Sequence, residues 1–185
     1  PGRPVSAPAE SAAKLGDGPA GIPQPVLVRG TGLLGASIGI GLSAAGVDVR
    51  LHDPSPAALA VAADIRAGRP ARLDAEGDDL DVAPGLVVVA APPDVTADVV
   101  VDSLRRWPAA VVVDIASVKE AVAAGVRAAV DDGRLAPQDA DRYLGTHPMA
   151  GSERSGPVAA RGTLFTQAPW VLCPTDTTHP GALAA

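Results

Sequence analysis

The chain has 185 residues, enough for one domain of ordinary size, and its formal net charge of −6 argues against a nucleic-acid or anionic-membrane partner. A single cysteine, Cys173, excludes an internal disulfide and suits a reducing compartment. The longest apolar run, residues 86–93, is too short to span a membrane, and no signal segment opens the chain, so we expect a cytoplasmic protein.

The two ends of the chain differ from its middle. Residues 1–24 are rich in proline, glycine, alanine and serine, so we expect a disordered leader that cannot offset its ordering entropy by burial. We expect one folded domain over residues 25–175. Residues 176–185 are expected to begin a truncated C-terminal segment, because the stretch from His179 onward is typical of the first turns of a helix.

The stretch from Val26 to Asp53 predicts a strand, a glycine-rich turn, a helix and a second strand. Three apolar residues lead into Gly30-Thr31-Gly32-Leu33-Leu34-Gly35. In a βαβ unit the first glycine makes the tight turn, the second lets the backbone approach a pyrophosphate, and the third allows close packing of helix and strand. The amides that begin the helix then face the phosphates.

The residues after this turn provide the context that a dinucleotide site requires. Leu34, Ile38 and Leu42 recur on one helical face, and apolar and polar residues then alternate over residues 47–52. Asp53 follows near the position where the fingerprint has a carboxylate for the ribose 2′-hydroxyl. Because an acid there would repel a 2′-phosphate, we expect NAD rather than NADP. The alternative is an ordinary glycine-rich turn followed by a surface aspartate.

The remaining elements alternate between helix and strand. Helices are predicted over residues 55–67, with Ser55 as N-cap, and over 94–104 and 118–130; strands are predicted near 72–73 and over 86–91, 110–114, 143–145 and 170–173. An acidic segment, residues 68–85, indicates solvated surface rather than a calcium loop. This order predicts a doubly wound, mostly parallel α/β sheet of the Rossmann type.

The residues after each strand are the candidates for chemistry, because ligands in an open α/β sheet bind beyond the carboxyl ends of the strands. Ser117, after strand 110–114, is placed as a helix N-cap, and capping alone would explain it. His147, before a proline and near Ser152 and Glu153, has the surroundings of a general base. A structural histidine satisfied by backbone is an equally good interpretation.

Two other chemistries are disfavoured. No nucleophile elbow of the GxSxG type surrounds Ser117, so the sequence does not indicate a hydrolase. The three histidines, His52, His147 and His179, lack the spacing of zinc ligands, and Cys173 has no partner. We therefore expect no metal site.

Three motifs together resemble the prephenate dehydrogenase family, which includes the arogenate and cyclohexadienyl dehydrogenases. They are the glycine-rich turn continued to Ser37, then Asp114-x-x-Ser117-Val118-Lys119, and then His147-Pro-Met-Ala-Gly-Ser152-Glu153-x-x-Gly156. The resemblance covers residues 26–174, and its third motif is the most specific.

The resemblance implies oxidative decarboxylation of prephenate to 4-hydroxyphenylpyruvate with NAD⁺, a reaction of tyrosine biosynthesis, with arogenate as the alternative substrate. Hydride would leave the carbinol carbon of the ring, and CO₂ would be lost as the ring becomes aromatic. His147 would hydrogen-bond the ring hydroxyl and take up its proton, and Ser117 would orient that hydroxyl or the histidine. Ser152, Glu153 and Lys119 would contact substrate.

The residues expected to bind the cofactor are Gly30, Thr31, Gly32, Leu33, Leu34, Gly35, Asp53, Ala91 and Pro92. One residue beside them departs from the pattern. Arg29 stands directly before the first glycine, where the strand is usually apolar, so we expect its charge to point to solvent or toward the cofactor. Either Arg29 or Arg50 could reach a 2′-phosphate if NADP were to bind.

Members of the family continue into a helical domain that forms the dimer and supplies cations for the substrate carboxylates. We expect that domain to be absent here, so the chain alone would be inactive and a homodimer would need the missing part. Lys119 and Arg154 are the nearby cations. Two other hypotheses remain: a non-catalytic Rossmann nucleotide-binding module, and a different hydroxyacid or imine reductase. Ser117 and His147 argue against the first, and the motif from His147 to Gly156 argues against the second.

Overall fold

Helices and strands alternate along the computed structural model of the chain, which describes residues 21–74, 77–151 and 155–184. The elements are β1 (Val26–Arg29), α1 (Leu33–Ala44), β2 (Val49–His52), α2 (Pro56–Asp64), β3 (Arg69–Pro70), β4 (Leu73–Asp74), β5 (Gly77–Asp78), β6 (Leu86–Val89), α3 (Pro93–Arg106), β7 (Val111–Asp114), α4 (Lys119–Asp131), α5 (Pro137–Ala140), β8 (Tyr143–Pro148), β9 (Trp170–Cys173) and α6 (Pro180–Ala184).

Seven of the strands form one sheet in the order β3-β2-β1-β6-β7-β8-β9. Every neighbouring pair is parallel except β8 and β9, which are antiparallel. Strands β2 and β3 lie on one side of β1, and β6 and β7 lie on the other. The carboxyl edge between β1 and β6 is therefore the switch point at which open sheets of this type bind ligands. The predicted doubly wound, mostly parallel sheet is confirmed.

Helices cover both faces of this sheet, and the core divides accordingly. On one face Leu27, Val87 and Val89 pack against side chains of α3 and α4 such as Leu104 and Val126. Val26, Val28 and Leu51 pack on the other face against small residues of α1 and α2. Because parallel strands are buried on both faces, they are nearly continuous apolar runs, as the sequence of β6 predicts.

The start of α2 shows the local chemistry that the sequence predicts. Ser55 is the N-cap, and its hydroxyl accepts a hydrogen bond from Ala58 N at 3.3 Å. Pro56 occupies the first helical position, where a proline costs no hydrogen bond. Strand β3 and helix α5 were not predicted, because two and four residues are too few to show a periodicity.

Residues that precede β1 also contact the domain. The side-chain oxygen of Gln24 accepts a hydrogen bond from Asp48 N at 2.7 Å, and Ile22 packs against the core on the α1 side. These contacts join residues 22–24, which the sequence assigned to the leader, to the body of the fold. None of the helices in the described part of the chain is long and apolar enough to cross a membrane.

Candidate cofactor and catalytic site

The glycine-rich turn joins β1 to α1 at the switch point. Gly30 has a φ of +103°, and a Cβ on it would collide with the carbonyl oxygen of Ala90 at the end of β6. A Cβ on Gly35 would collide with the Gly30 carbonyl oxygen. A Cβ on Gly32 would meet nothing within 4 Å. The first and third glycines thus permit close packing, whereas the second lies beside open space.

The start of α1 offers free backbone donors to that open space. Gly32 is the N-cap, and no side chain among the described residues caps the helix or places an acid in its first turn. The first amides of any helix have no intrahelical acceptor, and they carry the positive end of the helix dipole. A pyrophosphate fits this arrangement, since it needs backbone donors and a surface without Cβ atoms.

Asp53 lies directly after β2 and contacts the same turn. Its Oδ2 accepts hydrogen bonds from Thr31 N at 2.7 Å and from the Thr31 hydroxyl at 2.9 Å. Its Oδ1 accepts one from Ser55 N at 2.8 Å. Thr31 is fully buried, whereas Asp53 is partly exposed. The fold therefore brings the carboxylate beside the glycine-rich turn, with one side still accessible.

Ala91 and Pro92 lie across the switch point from the glycines. Ala90 N donates to Arg29 O at 2.8 Å, which continues the pairing of β6 with β1. The hydroxyl of Thr96, on α3, donates to the carbonyls of Ala91 at 3.1 Å and Pro92 at 2.8 Å. These bonds hold the segment that faces the glycine-rich turn across the switch point.

The expectation for Arg29 is wrong, because its side chain turns away from both solvent and the cofactor cleft. Its Nη1 donates to Asp102 at 2.6 Å and to the Ser103 hydroxyl at 2.8 Å, and its guanidinium lies 5.9 Å from the centre of the Trp107 ring. Burial lowers the pKa of Arg29, and the hydrogen bond to Asp102 opposes that effect. Asp102 and Ser103 of helix α3 thus hold the guanidinium of Arg29.

Arg50 is also directed away from the end of β2. Its Nε donates to Asp48 Oδ1 at 3.1 Å, and that hydrogen bond raises the pKa of Arg50. In the structure, therefore, both cations that could serve a 2′-phosphate are bound to other acids. Asp53, in contrast, lies beside the glycine-rich turn and accepts hydrogen bonds from it.

A second aspartate, Asp114, ends β7 and is the centre of a buried polar cluster. Its Oδ1 accepts from Ala116 N at 2.8 Å and pairs with Lys119 Nζ, while the Tyr143 hydroxyl donates to Oδ2 at 2.7 Å. Asp114 is 0% exposed. A Cβ on Gly145 would lie 3.1 Å from the Tyr143 hydroxyl oxygen and 3.3 Å from Lys119 Cδ, so this glycine makes room for the cluster.

Tyr143 is the member of this cluster that the sequence analysis missed. Burial raises the pKa of its phenol, and the charge of Asp114 raises it further. The phenol therefore remains a hydrogen-bond donor over the whole ordinary pH range. The sequence shows only that Tyr143 is the single tyrosine of the chain, whereas its approach to Asp114 depends on the pairing of β7 with β8.

The predicted capping role of Ser117 is wrong. Helix α4 begins at Lys119, its N-cap is Val118, and no side chain of the described residues caps it. The Asx-type bond from Ala116 N to Asp114 turns the chain before Ser117, so the helix starts one residue later than predicted. Ser117 is exposed, which leaves its hydroxyl available to a ligand.

His147 lies within β8, whose pairing with β9 extends the strand to Pro148. Its side chain is partly buried, and the imidazole makes no hydrogen bond to residues in the described ranges. Asp114 of β7 pairs with Gly145 of β8, and the two strands are parallel. Ser117 follows Asp114 by three residues and His147 follows Gly145 by two, so both come after this pair at the carboxyl edge of the sheet. Ser152, Glu153 and Arg154 lie outside the described residues.

Comparison with known proteins agrees with this geometry. A family model described as the nucleotide-binding domain of prephenate dehydrogenase matches residues 40–185. A protein of Streptomyces niveus named "Probable prephenate dehydrogenase NovF" is 38% identical over 157 residues, which are 85% of this chain and 40% of the relative.

Solved structures that are similar in fold include an arogenate dehydrogenase and a prephenate dehydrogenase. Synechocystis arogenate dehydrogenase has a TM-score of 0.70 and 28% identity, covering 86% of this chain and 53% of that one. Prephenate dehydrogenase from A. aeolicus, in complex with hydroxyphenyl propionate and NAD⁺, has a TM-score of 0.71 and 24% identity, covering 85% and 53%. The chain thus spans about half the length of these two structures, and 40% of the length of the Streptomyces niveus protein. The resemblance noted in the sequence is confirmed: the chain belongs to the prephenate dehydrogenase family, in the nucleotide-binding domain.

Proposed function

We propose that this chain is the NAD-binding domain of an enzyme that oxidatively decarboxylates prephenate to 4-hydroxyphenylpyruvate in tyrosine biosynthesis in the cytoplasm. One observation carries the proposal. The open side of the glycine-rich turn and Asp53 lie at the same carboxyl edge of the sheet as Ser117 and His147. A dinucleotide bound along this edge would extend from the acid toward the histidine.

The cofactor would be held by three parts of the chain. Amides of Gly32, Leu33 and Leu34 would face the pyrophosphate, and the carboxylate of Asp53 would accept a hydrogen bond from the adenosine ribose. Ala91 and Pro92 would line the opposite wall. NAD is favoured over NADP by two observations. The A. aeolicus structure contains NAD⁺, and Arg29 and Arg50 are hydrogen-bonded to aspartates away from the turn. When bound, the nicotinamide accepts the hydride.

His147 would provide the proton acceptor. Because its imidazole is free of hydrogen bonds to the described residues, a ring nitrogen is available to the substrate hydroxyl, and histidine is the side chain best matched to proton transfer near neutral pH. The exposed hydroxyl of Ser117 would orient either the substrate hydroxyl or the imidazole. Neither role requires a metal ion.

The substrate carboxylates need further cations. Lys119 is 19% exposed and pairs with the buried Asp114, so most of its charge is already compensated within the domain. Arg154 is the other nearby cation of the sequence, while Glu153 would lie at the substrate entrance and Ser152 would contact the substrate. We infer that a further helical domain supplies the remaining cations and the dimer contacts. The chain alone would then bind the cofactor without turning over the substrate.

A steady-state assay of NADH formation and CO₂ release tests this function. It compares prephenate with 3-hydroxy acids, first on this chain and then on a protein in which the domain is followed by the family's helical domain. We expect turnover of prephenate only by the longer protein, and a loss of at least about 100-fold in kcat for His147→Asn. Turnover without CO₂ release, or a rate unaffected by His147→Asn, would contradict the proposal.

Arogenate is the second candidate substrate, since Synechocystis arogenate dehydrogenase is 28% identical to this chain. Arogenate carries an amino group where prephenate has a keto group, and the reacting ring is the same in both. Running the same assay with arogenate in place of prephenate decides between them: the preferred substrate is the one with the larger kcat/KM.

A further inference from the structure

We propose that Thr31, the residue between the first two glycines of the turn, is a positioning residue for cofactor choice. It orients the carboxylate of Asp53 so that the domain prefers a ribose with a free 2′-hydroxyl over one with a 2′-phosphate. This inference rests on the proposed NAD site and names the part of the chain that tunes it.

The contacts around Asp53 are divided unequally between its two oxygens. Oδ2 accepts two hydrogen bonds from Thr31, one from its amide at 2.7 Å and one from its hydroxyl at 2.9 Å. Among the described residues, Oδ1 accepts a hydrogen bond from Ser55 N alone, at 2.8 Å. A carboxylate oxygen accepts about two hydrogen bonds. Oδ2 is therefore saturated by the protein, and the acceptor position left for a ligand is on Oδ1.

Thr31 acts on a ligand through this carboxylate rather than directly. Its side chain is fully buried, so its hydroxyl cannot touch the ribose. Any residue except proline would provide the amide at this position, but only the hydroxyl of serine or threonine adds a second strong donor so close to the backbone. The two donors from one residue fix the plane of the carboxylate and hold its charge beside the turn. Without the hydroxyl, each oxygen of the carboxylate keeps one backbone donor, Thr31 N on Oδ2 and Ser55 N on Oδ1, so rotation about χ2 is less restricted.

The direction of the effect follows from what each cofactor needs. NAD gains a hydrogen bond from its 2′-hydroxyl to Oδ1, so a rotating carboxylate weakens NAD binding. NADP places a phosphate there and is repelled by the charge, so the same rotation relieves part of the repulsion. A merely structural hydroxyl would instead change the affinities for both cofactors by the same factor.

The experiment titrates the full chain with NAD and with NADP by calorimetry, and its main comparison is among four proteins. Thr31→Val removes the hydroxyl at nearly constant volume, and Thr31→Ser retains it. Thr146→Val is the matched control, because that buried hydroxyl donates to a backbone carbonyl, Asp114 O, at 2.7 Å on a different pair of strands. The fourth protein is the unsubstituted chain.

We expect the ratio of NAD to NADP affinity to fall about five- to tenfold in Thr31→Val, which is less than the loss of a whole hydrogen bond to a charged group would cost, because the carboxylate remains and only its orientation is loosened. The ratio should stay within twofold in Thr31→Ser and in Thr146→Val. In an Asp53→Asn background, Thr31→Val should change the ratio no further, because the hydroxyl acts through that carboxylate.

Two results would overturn the proposal. One is an unchanged ratio of NAD to NADP affinity in Thr31→Val, whether both affinities fall equally or neither changes. The other is unfolding of both Thr31→Val and Thr31→Ala, judged by circular-dichroism melts, which would assign the hydroxyl a structural role. If the unsubstituted chain folds but binds neither cofactor, the proposed function itself fails, and that outcome is distinct from the other two.

Discussion

Asp53 and Asp114 occupy the same place in two halves of the sheet, yet their surroundings differ. Each ends or follows a parallel strand at the carboxyl edge. Asp53 is partly exposed and accepts hydrogen bonds from neutral donors, two of them from Thr31. Asp114 is completely buried and contacts a lysine ammonium and a tyrosine hydroxyl.

The difference shows what makes a strand-end acid available to a ligand. Neutral donors orient the carboxylate of Asp53 without cancelling its charge, so it retains a free acceptor position. A fully buried carboxylate needs a compensating cation, and Lys119 provides it for Asp114. The first aspartate is therefore suited to bind a ribose, and the second to hold β7, β8 and the start of α4 together.

The largest effect is expected from removing the buried acid. Asp114→Ala leaves Lys119 and the Tyr143 hydroxyl without their partner, so the free energy of unfolding should fall by about 3–5 kcal/mol. Asp53→Ala removes only hydrogen bonds to neutral groups and should cost about 1–2 kcal/mol. Urea unfolding followed by circular dichroism measures both. An equal cost at the two positions would show that their surroundings are not as different as described.

For NAD affinity the order of the two aspartates should be reversed, so that the substitution of Asp53 has the larger effect. Asp53→Ala should weaken NAD binding about 10- to 50-fold, because the ribose loses a hydrogen bond to a charged acceptor. Asp132→Ala is the control, since this acid ends α4, which runs away from the carboxyl edge. Calorimetric titration measures the affinities, and a loss below twofold for Asp53→Ala would contradict the assignment of this acid.

The raised pKa of Tyr143 predicts a pH dependence of stability. An unfolded chain releases the phenol proton near pH 10, whereas the folded chain keeps it. The unfolded state is thus favoured increasingly as the pH rises above about 10, and stability is lost in that direction. Because Tyr143 is the only tyrosine, tyrosinate absorbance reports on it alone and should appear only as the chain unfolds.

Tyr143→Phe provides the control for this titration. It should lower the free energy of unfolding by about 1 kcal/mol at pH 8, because Asp114 loses one donor. It should also flatten the decline in stability above pH 10. Tyrosinate that appears near pH 10 in a folded protein would show that the phenol is not held by Asp114.

The smallest expected effect is the difference in stability between substituting Ser55, which caps α2, and substituting Ser117, which was predicted to cap α4 but does not. Ser55→Ala should cost about 1 kcal/mol, because its hydroxyl accepts from Ala58 N. Ser117→Ala should change the free energy of unfolding by less than about 0.5 kcal/mol, since Ser117 is exposed and does not cap α4. Urea unfolding compares the two, and an equal cost would restore the capping role of Ser117.

The fold was largely predictable because its signals are local. The glycine spacing before α1, the proline after Ser55 and the apolar run of β6 each depend on residues close in sequence. Two-residue strands such as β3 could not be predicted, because their pairing depends on a partner that comes earlier in the chain. The extension of β8 to His147 likewise depends on β9.

The surroundings of individual side chains were harder to predict. Arg29 was expected at solvent or cofactor, but its partner Asp102 is 73 residues away. Tyr143 contacts Asp114 across 29 residues, and no local pattern marks that pair. Thr31 and Asp53 were both predicted at the cofactor site, whereas the hydrogen bonds between them are visible only in the structure.

The central claim is that the half of the sheet around Asp53 binds NAD independently of the half that contains His147. A calorimetric NAD titration of this chain and of His147→Ala tests it most directly. We predict saturable binding of one NAD per chain, with the same affinity in both proteins within twofold. A clear loss of affinity in His147→Ala, or the absence of saturable binding in a chain whose circular-dichroism melt shows a folded domain, would contradict the claim.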